Sequence, residues 1–240
     1  MNTKAIMDRV LFTLSVPKCV ACHKRLDYGN KAFCLKCSIE FEEFKTRGCA
    51  NCGRILNECD CSNDFLSAHY VKRVIKCYRY LSRDKMTPSN ALIYSLKRDN
   101  RTDVLDRCAE ELSLAIQNSI PDPEAYLFTN VPRRRSAIVE YGIDHSQLLA
   151  KALARRFNAE YKPILKSRAK RAQKSLETDE RFKNADFLIS HNIDLSGKKV
   201  IIIDDIITTG ASMGKAAALI RSLGAREIVG AAIAIAYKDK

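Results

Sequence analysis

The sequence predicts an α/β fold: a parallel sheet flanked by helices, with a small cysteine-rich module in front of it. Three observations predict this. Eight of the ten cysteines crowd into residues 19–61. From about residue 64 onward, strand-like and helix-like segments alternate, the pattern of a parallel sheet covered on both faces. The run Val200–Ile203 is short, branched and without polar alternation, so it reads as a central parallel strand, and it leads through a small polar loop into a helical pattern.

The elements follow in chain order. The opening stretch MNTKAIMDRVLFTLSVP has an apolar piece interrupted by Asp8 and Arg9, with no small-residue cleavage site after it. It reads as a short helix and not as a signal peptide. Residues 1–62 lack a conventional apolar core, and a segment this polar folds only with metal. FLSAHYVKRVIKCYRYLS begins a strand-like alternation that reads as a hairpin. Helices are expected over 87–97, with Pro88 in the first turn, and over 102–119, capped by Thr102 or Asp103. AYLFTNVP is a strand ending in a loop. DHSQLLAKALARRF is an amphipathic helix with Leu148, Leu149, Ala152, Leu153 and Phe157 inward. KPIL is a short strand. Residues 166–184 are polar and long for a connector, which points to a functional loop. ADFLIS, KKVIIID and EIVGAAIAIAY supply further strands. MGKAAALIRSLGA sets Met213, Ala216, Ala217, Ile220 and Leu223 on one helical face, with Gly224 as the C-terminal cap.

The chain has 240 residues, enough for one large domain or a small one plus a medium one. A hydrophobic share of 46% supports a normal core. The formal charge of +13 favours an acidic partner, nucleic acid or phosphorylated ligands. The basic residues cluster in VPRRRS at 131–136 and again at Lys162, Lys166, Arg168, Lys170, Arg171 and Lys174. No stretch approaches the length of an apolar membrane span, so no membrane insertion and a cytoplasmic location are expected.

The cysteines fall in four close pairs: Cys19 and Cys22, Cys34 and Cys37, Cys49 and Cys52, Cys59 and Cys61. A thiolate pair two residues apart bites one metal ion from a tight knuckle, and two such pairs complete a tetrahedral Cys₄ site. Two structural Zn²⁺ ions are therefore expected in a double zinc ribbon. Sequential pairing puts the first four cysteines in one site and the last four in another; interleaved pairing stays open. A disulfide framework is the competing reading and belongs to an exported chain. Cys77 and Cys108 stand alone in apolar patterns and read as buried free thiols.

The string VIIIDDIITTGAS, residues 200–212, carries the chemistry. Ligands of open α/β sheets bind beyond the carboxyl ends of the strands. A loop entering a helix there offers backbone N–H groups and the positive end of a dipole, which suits phosphate. Thr208, Thr209 and Ser212 add hydroxyl donors, Ala211 adds little bulk, and Gly210 lets a backbone approach closely. Asp204 and Asp205 are acceptors and suit the hydroxyls of a sugar. The same pair could instead cap the helix or hold Mg²⁺ directly. The Walker and dinucleotide glycine patterns are absent from the chain.

The whole string resembles the phosphoribosyl pyrophosphate (PRPP) loop of type I phosphoribosyltransferases. With the four cysteine pairs in front, nearly the whole chain resembles the ComF family, a double zinc ribbon over 1–62 joined to a phosphoribosyltransferase domain over 63–240. SLKRD at 95–99, NVPRRRSAIVEYGIDHSQLLAKALA at 130–154 and RAKRAQKSLETDERFKN at 168–184 resemble family segments more weakly. Two departures stand out: YGIDH replaces an Arg-Gly-Phe-Asn-Gln type string, and LKRDN lacks the glycine that follows the family's Lys-Phe pair.

The resemblance assigns Asp204 and Asp205 to the ribose hydroxyls and Thr208 through Ser212 to the 5′-phosphate. It implies Mg²⁺ bridging the sugar and the pyrophosphate, with Arg133 or Arg134 as a charge partner of the pyrophosphate. Segment 166–174 could close over the site. His145 is a further candidate for a base or a hydrogen-bonding group. Three functions compete. One is a single-stranded DNA handling protein of DNA uptake and natural competence that binds PRPP or a nucleotide end, with a helicase-like ATPase as the partner the family implies. The others are a phosphoribosyltransferase acting on a base or amine, and a PRPP-sensing regulator without turnover. Tyr28, Phe33, Phe41 and Phe44 are the aromatic residues a strand of bases could stack on within the ribbons.

Overall fold

The computed structural model describes residues 16–46, 48–49, 52–81, 87–134, 138–140, 142–167, 187–190 and 193–236. Helix α1 (Leu35–Lys45) and the short helix α2 (Asp64–Ala68) lead into strand β1 (Arg73–Tyr80). Helices α3 (Pro88–Arg98) and α4 (Thr102–Ser119) follow, then strand β2 (Tyr126–Asn130) and helix α5 (His145–Arg156). Short strands β3 (Leu165–Ser167) and β4 (Phe187–Ile189) precede β5 (Lys199–Ile207), helix α6 (Ala211–Ser222) and β6 (Glu227–Ala236). The expected N-terminal helix, and Arg168, Lys170, Arg171 and Lys174 of the basic connector, lie outside the described residues.

The sheet runs β1-β6-β5-β2 with every pair parallel, while β3 and β4 form a separate antiparallel pair. Strand β5 sits in the interior and shows why its stretch Val200–Ile203 is apolar at every position. Ile201 and Ile203 enter one core, and Val200 and Ile202 enter the other. Side chains alternate faces along a strand, so a strand covered on both faces needs branched residues at every position. The first core takes α1, α3, α4 and α5; the second takes α2 and α6.

Both outer strands are covered along their free sides. Val74 donates its N–H to the Asp60 carbonyl at 2.9 Å, and Cys61 bridges Arg73, so residues 60–61 line β1. On the far side, Phe128 donates to Glu160 and accepts from Lys162. Such cover removes the exposed edge that invites aggregation.

The structure corrects four expectations. FLSAHYVKRVIKCYRYLS is not a hairpin. Asn63 accepts from the Leu66 N–H and opens the one-turn helix α2, and β1 then pairs with β6, the strand most distant from it in sequence. Helix α4 is not capped by Thr102 or Asp103. Its N-cap is Arg101, and Asp103 instead accepts from Arg101 and from the Ala32 N–H at 3.0 Å. The strand expected at KPIL lies slightly later, at β3. The cysteine module does have apolar contacts: Leu26, Phe33, Phe41 and Phe44 are buried in the core they share with α4 and the sheet. Phe41 meets Tyr78 of β1 edge-on, with ring centroids 5.3 Å apart. The three phenylalanines are thereby unavailable for base stacking, and only Tyr28 of that set is exposed.

A charged contact also ties α1 to α4. Lys45 Nζ and Arg107 Nη2 each lie 2.7 Å from the Glu111 carboxylate, whose side chain is only 7% exposed. Lys45 and Arg107 also reach the half-exposed Glu42 carboxylate, at 2.7 and 2.8 Å, so losing Glu111 leaves both cations with one partner nearer solvent. Glu111→Ala is expected to cost about 3 kcal/mol of stability, the low end for breaking a buried pair. Urea unfolding of metal-replete protein measures this; a loss below about 1 kcal/mol, the size of an exposed pair, would contradict it.

Candidate functional site

The carboxyl end of β5 differs from the reading of a strand that stops at Ile203. The strand continues through Asp204 and Asp205 to Ile207, so both carboxylates belong to the sheet. Asp204 Oδ1 accepts the Asp205 N–H at 2.8 Å, and Asp205 Oδ1 accepts the Ile206 N–H at 2.7 Å. Asp205 Oδ2 lies 3.3 Å from Lys97 Nζ, in the last turn of α3. Burial, and then the charge of Asp205, hold the Asp204 carboxyl well above the usual carboxylate range.

Residues 208–210 form the turn into α6. Gly210 is the N-cap, with φ +83°, in the left-handed region that favours glycine. A Cβ there would lie 2.7 Å from Leu66 Cγ, so α2 presses directly against the back of the turn. The Ala211 N–H donates to Thr209 Oγ1 at 3.3 Å. Apart from that bond, helix α6 opens on a glycine N-cap with no side chain to cap it and no acidic residue in its first turn, which leaves its positive end open to an anion. A cavity of about 250 Å³ lies in front of it, lined by Arg134, Asp204 and residues 206–213.

The structure brings Asp204, Thr208, Thr209, Gly210, Ala211, Ser212 and Arg134 to this one cavity. It separates the two arginines. Arg133 is not among the cavity's lining residues: its backbone N–H donates to Asp144 Oδ2 at 3.0 Å, and its Nη1 donates to His145 Nδ1. His145 Nε2 then donates to Asn100 Oδ1 at 3.1 Å. Those two bonds require the neutral ring with its proton on Nε2. Burial, followed by the Arg133 charge, lowers the His145 pKa and keeps that form. Asp144 is the N-cap of α5, accepting from the Gln147 N–H at 3.1 Å. The two segments that depart from the family strings, LKRDN and YGIDH, thus meet through Asn100 and His145.

Lys97, Asn100 and Asp144 are the site neighbours that sequence reasoning did not single out. A lysine in the last turn of a helix ordinarily serves the helix dipole. Only the weak likeness of SLKRD pointed toward Lys97.

The eight cysteines form two separate groups, Cys19, Cys22, Cys34 and Cys37, and Cys49, Cys52, Cys59 and Cys61. Within each, the four sulfurs lie within 4.8 Å of one another. The geometry sorts them as sequential pairing does. The Sγ–Sγ distances of 3.6 Å between Cys22 and Cys34 and between Cys52 and Cys59 match a tetrahedral edge. Zinc–sulfur bonds of ~2.3 Å give edges of about 3.8 Å. The donor chemistry and spacing fit Zn²⁺, and all ten cysteines are free thiols. Cys77 and Cys108 are fully buried.

A second, basic cleft of about 340 Å³ lies at the opposite end of β1 and β6. Tyr70, Lys72, Arg73, Arg221 and Arg226 line it, with Glu227.

A family model described as phosphoribosyl transferase domain matches residues 144–240. Competence protein F of Haemophilus influenzae is 24% identical over 229 residues, covering 88% of this chain and 93% of its own. The DNA utilization protein YhgH of Escherichia coli K12 is 23% identical over 227 residues, covering 90% and 96%. Together with the two Cys₄ groups, these similarities fit a ComF-like chain. Its fold is that of type I phosphoribosyltransferases, preceded by a cysteine region consistent with a zinc ribbon. The purine phosphoribosyltransferase of Pyrococcus horikoshii superposes over 55% of this ComF-like chain and 71% of its own, at 21% identity and TM-score 0.37. Among the described residues, no helix is long and apolar enough to cross a membrane.

A carboxyl raised in the fold binds its proton more tightly there than in the unfolded chain, so stability falls as pH rises from the usual carboxylate range through the raised value. Asp204 therefore destabilises the ligand-free protein at neutral pH. Asp204→Asn is expected to raise the melting temperature at pH 7, by ~2–4 °C if about 1 kcal/mol is relieved, and to flatten its pH dependence. A melting temperature lowered by the substitution would show that the carboxylate stabilises the fold.

Proposed function

We propose that this ComF-like protein binds PRPP with Mg²⁺ at residues 204–212 and handles single-stranded DNA during DNA uptake in the cytoplasm. Residues 1–62 serve as the double zinc ribbon and 63–240 as the phosphoribosyltransferase-like domain. One observation carries the PRPP reading: the Asp204 carboxylate and the N-terminal turn of α6 line a single cavity, with Asp205 next to Asp204 in the strand but outside the lining. The carboxylates accept from sugar hydroxyls, and the 208–212 backbone and hydroxyls donate to the 5′-phosphate. Mg²⁺, when bound, supplies positive charge to the pyrophosphate oxygens. Arg134 stands at the cavity and supplies charge there, while Arg133 is held by His145 and Asp144. Lys97, 3.3 Å from Asp205 Oδ2, holds that carboxylate in place.

DNA handling draws its support from the names of the relatives and from the charge. Two Cys₄–Zn²⁺ sites, each a formal −2, still leave the chain strongly basic. The basic cleft offers cations beside Tyr70, an exposed ring for a base to stack on. A helicase-like ATPase of the competence machinery is proposed as partner on family resemblance alone. Turnover on a base or amine is the competing reading, and pyrophosphate release in the presence of candidate bases tests it.

Calorimetry tests the small-ligand half. PRPP affinity should require Mg²⁺, and Asp205→Asn should weaken it roughly ten- to hundredfold, the worth of one charge-assisted hydrogen bond. Unchanged affinity in both Asp204→Asn and Asp205→Asn would remove 204–212 as the sugar site.

Filter binding across a salt series tests the DNA half. Single-stranded DNA should bind with little sequence preference and a log–log slope of about −0.7 per phosphate neutralised. Replacing Lys72, Arg221 and Arg226 with alanine should flatten that slope if the cleft holds the strand. Replacing Lys166, Arg168, Lys170 and Arg171 should do so if the connector does. No binding by the wild type at low salt would leave the enzyme or the PRPP sensor.

A further inference from the structure

Lys76 has no place in the functions described so far, and its surroundings are unusual. It lies in the middle of β1 and is fully buried. Its Nζ donates to the carbonyls of Cys61 at 2.9 Å, Val74 at 3.1 Å and Cys59 at 3.2 Å, and it lies 3.3 Å from Cys59 Sγ. Two of those carbonyls and the sulfur belong to residues of the second cysteine group. None of the ion pairs among the described residues gives Lys76 a carboxylate.

An ammonium has three hydrogens and accepts nothing. Carbonyl dipoles satisfy those hydrogens but do not cancel the charge. A buried charge without a counter-charge is among the costliest arrangements in a protein interior. Four neutral thiols, or two disulfides, would leave Lys76 in that state. A divalent ion held by four thiolates carries a net charge of about −2 and supplies the missing anion.

We infer that Lys76 is a positioning residue for the second metal site, holding the Cys59 thiolate and the Cys59–Cys61 backbone as the charge partner of a dianionic metal–tetrathiolate. This rests on reading Cys49, Cys52, Cys59 and Cys61 as metal ligands. The first group is built otherwise: α4 reaches its backbone, through Arg101 to the Lys18 carbonyl and through Asp103 to the Ala32 N–H. Among the described residues no side-chain cation is bonded to a sulfur there. The two sites are therefore inequivalent. The second is joined to the sheet by a buried charge; the first is docked by polar contacts to its backbone.

The test uses the full chain loaded with cadmium-113, whose resonance reports each thiolate site, together with zinc release to a chromogenic chelator. Wild type should give two resonances and two release phases. In Lys76→Met, which keeps the length and removes the charge, one resonance should move or vanish. One equivalent should leave ten- to a hundredfold faster, the usual effect of removing an outer-shell partner, and the other should be unchanged. Lys76→Gln keeps a donor without the charge and serves if the methionine variant does not fold; it should release the same equivalent faster. Both resonances and both phases unmoved would overturn the role of Lys76. Equal loss of both metals in both variants would overturn it too, because the residue would then serve the fold in general. A wild type with a single resonance would instead refute the second metal site itself.

Discussion

The carboxylates of Asp204 and Asp205 repel each other inside a strand that is otherwise apolar. The surrounding elements are arranged to hold them. The backbone N–H groups of residues 205 and 206 are turned onto their oxygens. Helix α3 brings Lys97 to one of them, and the loop after β2 brings Arg134 to the cavity that Asp204 lines. His145 takes the neutral form that can accept from Arg133. Helix α6 aims its positive end at the same space. Read outward from that pair, the sheet supplies rigidity, and the helix ends and loops supply the charge.

The cysteine region is bound to this frame at several levels. Phe41 and Phe44 share a core with α4 and the sheet. Lys45 and Glu111 join α1 to α4 across that core. Residues 60–61, at the end of the second cysteine group, line the free side of β1, and the chain then turns into α2. Leu66 of α2 meets the back of Gly210. A continuous run of packed residues therefore leads from the second cysteine group to the turn that faces the cavity.

Much of this was legible in the sequence because it is encoded locally. Cysteine spacing specifies chelation at short range. The branched run before Asp204 specifies a doubly buried strand, and the small residues after it specify a tight turn into a helix. What stayed hidden depends on distant partners. Lys76 sits in VKRVIKCY, where alternation makes a lysine look like the wet face of a hairpin; its true environment is made by Cys59 and Cys61. The hairpin reading failed for the same reason, since the partner of β1 is β6. Lys97 looked like an ordinary helix-terminal cation until Asp205 appeared beside it. The polar composition of residues 19–61 concealed that Phe33, Phe41 and Phe44 bury themselves against another part of the chain.

The pairing of β1 with β6 carries a consequence for how the chain comes into being. Arg73 is in register with Val229, so one seam of the sheet closes a loop of about two-thirds of the 240-residue polypeptide. Contacts this remote are slow to form, because a long loop has to close before they return any stabilisation. During synthesis the cysteine region emerges first, and β1 is made long before its partner exists. Until β6 arrives, β1 is an apolar strand with an unsatisfied side. Metal captured early by the cysteines would order residues 59–61 against the other side of β1 and leave it one open edge instead of two. The cysteine groups would then act as a holding device for the nascent chain as well as a part of the finished protein.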